Sequence, residues 1–336
     1  MNDTQFVVYG AIVSAVSFLA VYFLMPAAIK SLIAKGKVVQ DYHKAGKPPV
    51  PRPAGPVIMA GIAAAELFLY ALTMNSAVLA MLAATAIAFA VGYIDDKKVM
   101  PGWFKPAALL LAAVPLVVMH VQGEHLNLVF GSAFIPLLYV ALVFVLMPVA
   151  GNTVNSIDVL NGVASGFMII ATIPLLAAIA LFGSRDMLLA ALPLFFASIA
   201  FFRYHKFPST IFPGDSGTLL LGTMYGALAI AGRAEVIGVI ALLPAVMNSF
   251  LFLSSVKRVV EHRQVKSRPT MLLDDYRLAA SKDAGAPATL VRLILADGPL
   301  TEKEIANRIF RLAIMSALLA FVTIAIQYFF LGGIPK

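Results

Sequence analysis

Residues 133–150 read AFIPLLYVALVFVLMPVA, a run that contains no charged side chain. An uncharged apolar run of this length is typical of a helix that crosses a lipid bilayer. The residues that follow, 152–162, read NTVNSIDVLNG and are rich in amides and hydroxyls. This part of the chain therefore predicts a membrane helix that is followed directly by a polar segment.

The rest of the chain repeats this pattern. Of its 336 residues, 61% are hydrophobic and only 12% are charged, whereas soluble domains average about 45–50% and about 25%. An ordinary soluble globule is therefore excluded. Since one crossing takes about 20 apolar residues, we predict an all-α integral membrane protein with about ten transmembrane helices. The apolar runs lie near residues 6–29, 56–74, 76–93, 106–121, 133–150, 163–183, 187–202, 217–232, 236–256 and 310–331.

The basic residues predict the orientation in the membrane. Of the 25 Lys and Arg residues, 22 fall in the connections that follow odd-numbered spans, and the others are Arg185, Arg233 and Lys336. Because cytoplasmic loops carry the excess of Lys and Arg, these connections are predicted to be cytoplasmic and both termini non-cytoplasmic. The formal net charge of +8 then reflects loops beside anionic lipid headgroups, and does not indicate nucleic-acid binding.

The chain is predicted to form a single polytopic membrane domain over residues 1–336. Its one long connection, 257–311, is predicted to be a cytoplasmic loop. Within it, residues 289–309 alternate apolar and charged positions around the turn-like Asp297-Gly298-Pro299, which favours two short amphipathic helices at the membrane interface. The absence of cysteine from the sequence excludes disulfides and thiolate metal sites.

Acidic side chains are scarce and fall in clusters on the predicted cytoplasmic face. Asp95 and Asp96 follow the third span directly. Asp158 lies just before the sixth span, and Asp215 lies at the start of the eighth. Hard oxygen ligands of this kind suit Mg²⁺ or Mn²⁺, and magnesium is commonly shared between one or two carboxylates and substrate phosphates. The clusters therefore predict a metal-bound pyrophosphate and a phosphoryl or phosphosugar transfer.

Each cluster also has a simpler interpretation when it is taken alone. Asp95 and Asp96 fit a solvated loop, while Asn152, Asn155 and Asp215 fit helix caps or turns. Three unrelated structural roles that happen to fall on one membrane face are less probable than a single site that uses all three clusters. Glu66, the lone acid inside a span, is interpreted as a partner for a neighbouring helix, with a proton or cation path as the alternative.

These motifs, in this order, resemble the polyprenyl-phosphate N-acetylhexosamine-1-phosphate transferases, glycosyltransferase family 4. Residues 204–215, YHKFPSTIFPGD, are most similar to the eukaryotic and archaeal UDP-GlcNAc:dolichyl-phosphate branch. The resemblance spans almost the whole chain, and members of the family have ten transmembrane helices and a cytoplasmic site. In two places the sequence departs from the family pattern: it has Arg52 where an acidic residue is frequent, and Glu261 where the eukaryotic enzymes have an arginine.

The resemblance implies a role for each matching residue. Asp215 and Asn155 are expected to bind Mg²⁺, with Mn²⁺ as a substitute. Asp95, Asp96 and Lys105 are expected to be catalytic, although Asp95 could be either a base or an electrostatic group that orients the lipid phosphate. The expected substrate-binding residues are Asp41, Asn152, Asp158, Asn161, His262, Arg263 and Arg268.

The implied reaction transfers GlcNAc-1-phosphate from UDP-GlcNAc to a polyprenyl or dolichyl phosphate and releases UMP. Partners would be these substrates and membrane lipids, in the cell membrane or the endoplasmic reticulum membrane, and a homodimer is left open. Two alternatives are kept. One is the peptidoglycan-type phospho-muramoyl-pentapeptide transferase, and the other, from a different class, is a cation-coupled secondary transporter.

Overall fold

The computed structural model describes residues 1–44, 46–256 and 267–330. Helices make up most of it, and three short antiparallel hairpins join some of them. The helices are α1 Asp3–Ala34, α2 Gly55–Thr73, α3 Ser76–Lys97, α4 Phe104–Leu109, α5 Val114–Val118, α6 Pro136–Ile157, α7 Val163–Phe182, α8 Arg185–His205, α9 Gly214–Ala231, α10 Glu235–Ala241, α11 Leu243–Val256, α12 Leu290–Ile294 and α13 Glu302–Phe330. The hairpins pair β1 Val38–Gln40 with β2 Pro49–Pro51, β3 His125–Leu128 with β4 Gly131–Phe134, and β5 Thr270–Leu272 with β6 Leu278–Ala280.

The predicted class, an all-α integral membrane protein, is confirmed. Within the described ranges, seven helices are long and apolar enough to cross a bilayer, and the pair α10–α11, bent by 68°, would make eight. The predicted spans 106–121 and 217–232 correspond to the short apolar stretch Phe104–Val118 and to α9. The count of ten and the orientation stay predictions.

Helix α9 is 18 residues long but is not one of the seven helices apolar enough to cross a bilayer. Seventeen of its eighteen residues are buried by other helices. A helix enclosed by protein on all sides has no need of a uniformly apolar surface, and small residues let its neighbours approach closely. A Cβ atom added at Gly222 would lie 2.4 Å from the carbonyl oxygen of Ala150 in α6. Helix α9 is therefore the central helix of the bundle.

Helix α3 packs against α9 through a similar contact. A Cβ atom added at Gly92 would lie 2.4 Å from the carbonyl oxygen of Asp215 and 2.5 Å from the Cα atom of Ser216. Only glycine permits this approach. It sets the carboxyl end of α3 directly beside the amino end of α9.

The helix ends fall into two groups at opposite ends of the bundle. At one end, backbone hydrogen bonds connect the loop before α2 to the loop before α9, from Phe212 to Pro51 and from Ala54 to Phe212. At the other end, the side chain of Asn75 caps α3 and donates to Asp186 at the start of α8. The three carboxylate clusters predicted from the sequence lie at the first of these ends.

The described part of the long connection, 267–311, contains more than the two predicted helices. The hairpin β5–β6 comes first, and the sequence analysis did not predict it. The short helix α12 follows, and the predicted break at residues 297–299 lies between α12 and α13. The second predicted helix is not separate: it forms the first turns of α13, which continues into the last span.

We expect Gly92→Ala to destabilise the protein, because the added methyl group overlaps the backbone of α9. Overpacking of this kind costs about 1–3 kcal/mol. The melting temperature of the detergent-solubilised protein would fall relative to wild type. Gly123→Ala is the control, since a Cβ atom there comes no closer than 3.9 Å to other atoms. Equal melting temperatures for the two variants would show that α3 and α9 are not in this contact.

Candidate active site

A cavity of about 600 Å³ opens at the end of the bundle where the carboxylate clusters lie. This volume is in the usual range for sites that bind small molecules and cofactors. Its walls come from the first loop, the ends of α6, α8 and α9, and the 267–291 segment. Six of the residues predicted from the sequence line it, namely Asp41, Asn155, Asp158, Asn161, Asp215 and Arg268.

Asp215 lies on the cavity wall in the first turn of α9 and is paired with two cations. The Nη2 atom of Arg52 is 2.7 Å from its Oδ2 atom, and the Nζ atom of Lys105 is 3.4 Å from its Oδ1 atom. The Asp215 side chain is 8% exposed and Arg52 is 22% exposed. A carboxylate this buried is stable in ionised form only when it is paired, and these two cations provide that pairing.

Asp96 holds the amino end of α9. Its carboxylate accepts hydrogen bonds from the backbone N–H groups of Asp215 at 2.9 Å and Ser216 at 3.0 Å, and from the Ser216 hydroxyl at 2.6 Å. An anionic oxygen at a helix N-terminus satisfies otherwise unpaired N–H groups and interacts favourably with the helix dipole. Arg52 also reaches Asp96, with 2.8 Å between its Nη2 atom and Oδ1. One guanidinium nitrogen therefore bridges Asp96 and Asp215.

Asp95 and Lys105 lie behind the cavity wall. The Asp95 side chain is fully buried; its Oδ1 atom accepts from the backbone N–H of Met100 at 2.9 Å, and its Oδ2 atom is 3.4 Å from Lys105 Nζ. Lys105 thus joins Asp95 to Asp215. Neither Asp95, Asp96 nor Lys105 is among the residues that line the cavity. In this conformation they position Asp215 and Arg52.

A second polar network fixes the far wall. Lys44 Nζ lies 2.5 Å from the carboxylate of Asp41 and 2.5 Å from the Oδ1 atom of Asn161, whose Nδ2 atom donates to Asp41. Burial acts to raise the pKa of Asp41, but the hydrogen bonds from Lys44 and Asn161 outweigh it and hold that pKa below its ordinary value. The Oδ1 atom of Asn161 also accepts from the backbone N–H of Ser209, and the backbone N–H of Asn161 donates to Glu302. Both ends of its amide are thereby fixed in orientation.

Asp158 lies on the wall in contact with a buried histidine. Its Oδ1 atom is 3.5 Å from Nε2 of His205, and Nδ1 of that ring is 2.9 Å from the Ser165 hydroxyl. Burial raises the pKa of Asp158 to about 7; the nearby Arg52 opposes this shift, and the charge of Asp215 adds to it. Asp158 is therefore a group on the cavity wall that titrates near neutral pH.

Asn155 and Asp215 are the residues predicted to bind a metal, and both line the cavity. They offer one amide oxygen and one carboxylate, which are hard ligands of the kind Mg²⁺ accepts when substrate phosphates and water complete its shell. The Asn155 Oδ1 atom also accepts from the Thr218 hydroxyl at 2.6 Å. Within the described ranges no group of three His, Asp or Glu side chains is placed to hold a metal. The donor set thus fits a cation shared with phosphates and not a cation held by the protein alone.

The remaining predicted residues lie elsewhere. Asn152 is one turn before Asn155, does not line the cavity, and donates its amide to the Pro148 carbonyl at 2.8 Å. His262 and Arg263 fall outside the described residues.

Sequence reasoning missed Arg52, Lys44 and His205 as parts of this site. Arg52 follows the first hairpin and pairs with acids 44 and 163 positions away, so no local spacing could reveal these pairs. Lys44 lies in the turn of that hairpin, three positions from Asp41 but 117 positions from Asn161. His205 lies inside the quoted 204–215 motif, but its partner Asp158 is 47 positions away in the sequence. Only the folded chain brings these groups together.

Comparison with known proteins identifies the family. A relative from Streptococcus suis, named phospho-N-acetylmuramoyl-pentapeptide-transferase, is 31% identical over 66% of this chain and 72% of its own length. The model of glycosyl transferase family 4 matches residues 78–233. This chain belongs to glycosyl transferase family 4.

Two further relatives in glycosyl transferase family 4 have different names. A protein of Saccharolobus solfataricus, named UDP-N-acetylglucosamine–dolichyl-phosphate N-acetylglucosaminephosphotransferase, is 25% identical over 93% of this chain and 95% of its own length. A Bacillus subtilis protein, named undecaprenyl-phosphate N-acetylglucosaminyl 1-phosphate transferase, is 27% identical over 65% of this chain and 61% of its own length. The family match covers α3 to α9 and so includes every predicted site residue from Asp95 to Asp215.

We expect Asp158 to make the stability of the protein depend on pH. Between the ordinary carboxyl pKa of about 4 and about 7, the folded protein keeps a proton on Asp158 that the unfolded chain releases. Stability is therefore lost as the pH rises through this window, and the loss is complete above it. Asp158→Asn removes this contribution, so the melting temperature of wild type minus that of the variant should fall from about pH 5 to about pH 7 and then level off.

The control is Asp283→Asn. Hydrogen bonds from Ser267 and the Gly285 backbone hold the pKa of Asp283 below its ordinary value, so the same difference should be flat over this range. A flat difference for Asp158→Asn as well would mean that the Asp158 carboxyl is ionised throughout and not buried as described.

Proposed function

We propose that this protein transfers N-acetylglucosamine 1-phosphate from UDP-GlcNAc to a polyprenyl phosphate of the dolichyl type. A phosphate oxygen of the lipid attacks the β-phosphorus of the donor, the bond to the bridging oxygen breaks, and UMP leaves. The product is a lipid pyrophosphate that carries the sugar. The site faces the cytoplasm, and the reaction depends on Mg²⁺, with Mn²⁺ as a substitute.

The observation that carries this proposal is the charge arrangement around one cavity at the end of a membrane-spanning bundle. Three carboxylates and two cations converge beside it, and Asp215, Arg52 and Arg268 face into it. A pyrophosphate-bearing donor needs cationic groups to orient it, and a lipid acceptor needs a site beside a membrane-spanning bundle. Family membership and the Saccharolobus relative, which matches nearly the full length, support the same reaction.

Each wall of the cavity has a distinct task in this reaction. Asp215 and Asn155 would hold the divalent cation, whose chemistry is to neutralise charge on the pyrophosphate as the bond to UMP breaks. Arg268 binds donor phosphate from the opposite wall. Asn161, fixed in orientation by Lys44 and Ser209, presents its amide to the uracil. Lys105 and Asp95 keep Asp215 in place from behind.

The transporter alternative places its carboxylates near the bilayer midplane, where broken helices meet. Here the clustered acids lie at helix ends: Asp95 and Asp96 in the last turn of α3, and Asp215 in the first turn of α9. Glu66 is buried midway along α2, but the clustered acids are neither close to it in sequence nor midway along a helix. The enzyme is therefore the better interpretation.

The donor is tested with the purified protein in detergent, dolichyl phosphate, Mg²⁺ and a panel of UDP-sugars. We expect UMP release and a GlcNAc-pyrophosphate lipid, identified by mass spectrometry, with UDP-GlcNAc. The peptidoglycan-type donor, UDP-muramoyl pentapeptide with undecaprenyl phosphate, should give no product. Turnover of that donor instead would favour the function named for the Streptococcus relative.

We expect Asp215→Asn to lower kcat by at least about 100-fold, because it removes the carboxylate that holds the cation and pairs with Arg52 and Lys105. The substitution keeps the shape of the side chain, and donor binding measured with Mg²⁺ should weaken as well, because the cation links Asp215 to the pyrophosphate. Asp275→Asn, which removes an exposed carboxylate from the turn between β5 and β6, is the matched control and should retain full turnover. If Asp215→Asn kept wild-type kcat, the cation would have to be held elsewhere.

A further inference from the structure

Arg52 holds an unusual position for a residue that faces a phosphate-binding cavity. Its Nη2 atom bonds at once to Oδ1 of Asp96 and Oδ2 of Asp215, at 2.8 and 2.7 Å. Both carboxylates are almost fully buried, while the arginine is 22% exposed and lines the cavity. One nitrogen of the guanidinium is therefore engaged by two internal acids.

The backbone around Arg52 fixes this placement. Pro51, at the end of β2, accepts a hydrogen bond from Phe212, and Ala54 donates to the same residue. The two loops that bring Arg52 and Asp215 together are therefore joined on both sides of Arg52. A flexible side chain on a fixed backbone can change partners without moving the loop.

The two acids would repel each other without this bridge. Asp96 has to remain ionised to accept the N–H groups of Asp215 and Ser216, so its charge cannot be removed without loosening α9. Asp215 has to remain ionised to hold a cation. Since like charges this close and this buried disfavour one another, a cation is needed between them even before any metal arrives.

We propose that Arg52 is an internal counter-cation that competes with the divalent metal for Asp215. It stabilises the metal-free site by pairing Asp96 with Asp215, and metal binding requires it to release Asp215 Oδ2. Once released, its guanidinium is free at the cavity wall, where the donor pyrophosphate offers new anionic partners. This inference rests on the proposed function, because it assumes that Asp215 holds the metal.

The affinity for metal should therefore be lowered when no donor is bound. Breaking the Arg52–Asp215 pair opposes the metal, so metal alone should bind wild type weakly. Coupling of this kind is reciprocal: a donor that gives Arg52 a new partner should strengthen metal binding, and metal should strengthen donor binding. Arg52 would thereby keep the site from filling with metal before the substrate is present.

The test is equilibrium binding of Mn²⁺ alone, measured from the electron paramagnetic resonance signal of free Mn²⁺ with purified protein in detergent and no substrates. We expect Arg52→Gln to bind Mn²⁺ about tenfold more tightly than wild type, equivalent to about 1.4 kcal/mol. Arg268→Gln removes the same charge from the same cavity and should change the affinity by less than about twofold. Equal tightening in both variants would mean a general charge effect and would overturn the proposal.

A second variant covers the case in which Arg52→Gln does not fold. Arg52→Lys keeps the charge on a shorter side chain, whose ammonium does not reach as far as the Nη2 atom of Arg52, so its contacts with the two carboxylates are weaker. It should bind Mn²⁺ more tightly than wild type, by a smaller factor. An unchanged or weaker affinity in this variant would overturn the proposal.

Asp215→Asn separates failure of this inference from failure of the proposed function. If wild type binds Mn²⁺ and Asp215→Asn does not, the metal site stands, and only the Arg52 variants decide the inference. If wild type, Asp215→Asn and Arg52→Gln all fail to bind Mn²⁺, both the metal site and the inference fail. Sugar-phosphate transfer measured separately shows whether the reaction itself survives.

Discussion

The contact between the carboxyl end of α3 and the amino end of α9 determines how Asp95, Asp96 and Asp215 lie relative to one another. Gly92 lets the backbone of Asp215 and Ser216 approach to a distance that any side chain would block. Asp96, four residues further along α3, then reaches the free N–H groups of α9 and caps them. Such caps contribute about 0.5–2 kcal/mol. The cap here joins two helices, so it also fixes the position of Asp215 relative to Asp95.

The same contact leaves the site short of positive charge. With all three carboxylates ionised, Asp95, Asp96 and Asp215 carry one more negative charge than Arg52 and Lys105 balance. Two unit charges about 5 Å apart interact by about 3 kcal/mol at an effective dielectric constant of about 20, so this excess is not negligible. A divalent cation would change the sign of the cluster and make it attractive to a pyrophosphate. The charge count thus gives a physical reason for metal and donor to bind together.

The sequence alone was enough for the membrane class and for the acids, because both depend on local pattern. Apolar runs report helices that cross a bilayer, and a scarce carboxylate next to such a run is conspicuous. Helix α9 shows where this reasoning stops: hydropathy measures how apolar a helix is, and not whether lipid or protein surrounds it. Its seventeen buried residues follow from contacts with α3 and α6, and no window along the chain contains that information.

The ion pairs of Arg52 could not be predicted either, because they also depend on contacts between distant parts of the chain. Arg52 appeared in the sequence only as a departure from the family pattern, with a charge opposite to the expected one. Its partners Asp96 and Asp215 are 44 and 163 positions away, so only the folded chain shows that the departure has a function. The hairpins β1–β2 and β5–β6 escaped detection because three-residue strands are too short to establish an alternating pattern.

The arrangement also bears on whether Asp95 acts as a base or as an electrostatic group. A base must reach the acceptor, yet Asp95 is fully buried behind the wall, and its two oxygens are occupied by the Met100 N–H and by Lys105. A lipid phosphate is largely ionised near neutral pH, so its attack on the donor does not require a strong base. Because Lys105 connects Asp95 to Asp215, the charge of Asp95 acts on the reaction through the placement of that lysine. The geometry therefore favours the electrostatic role, with Asp95 as a positioning residue for the carboxylate that faces the cavity.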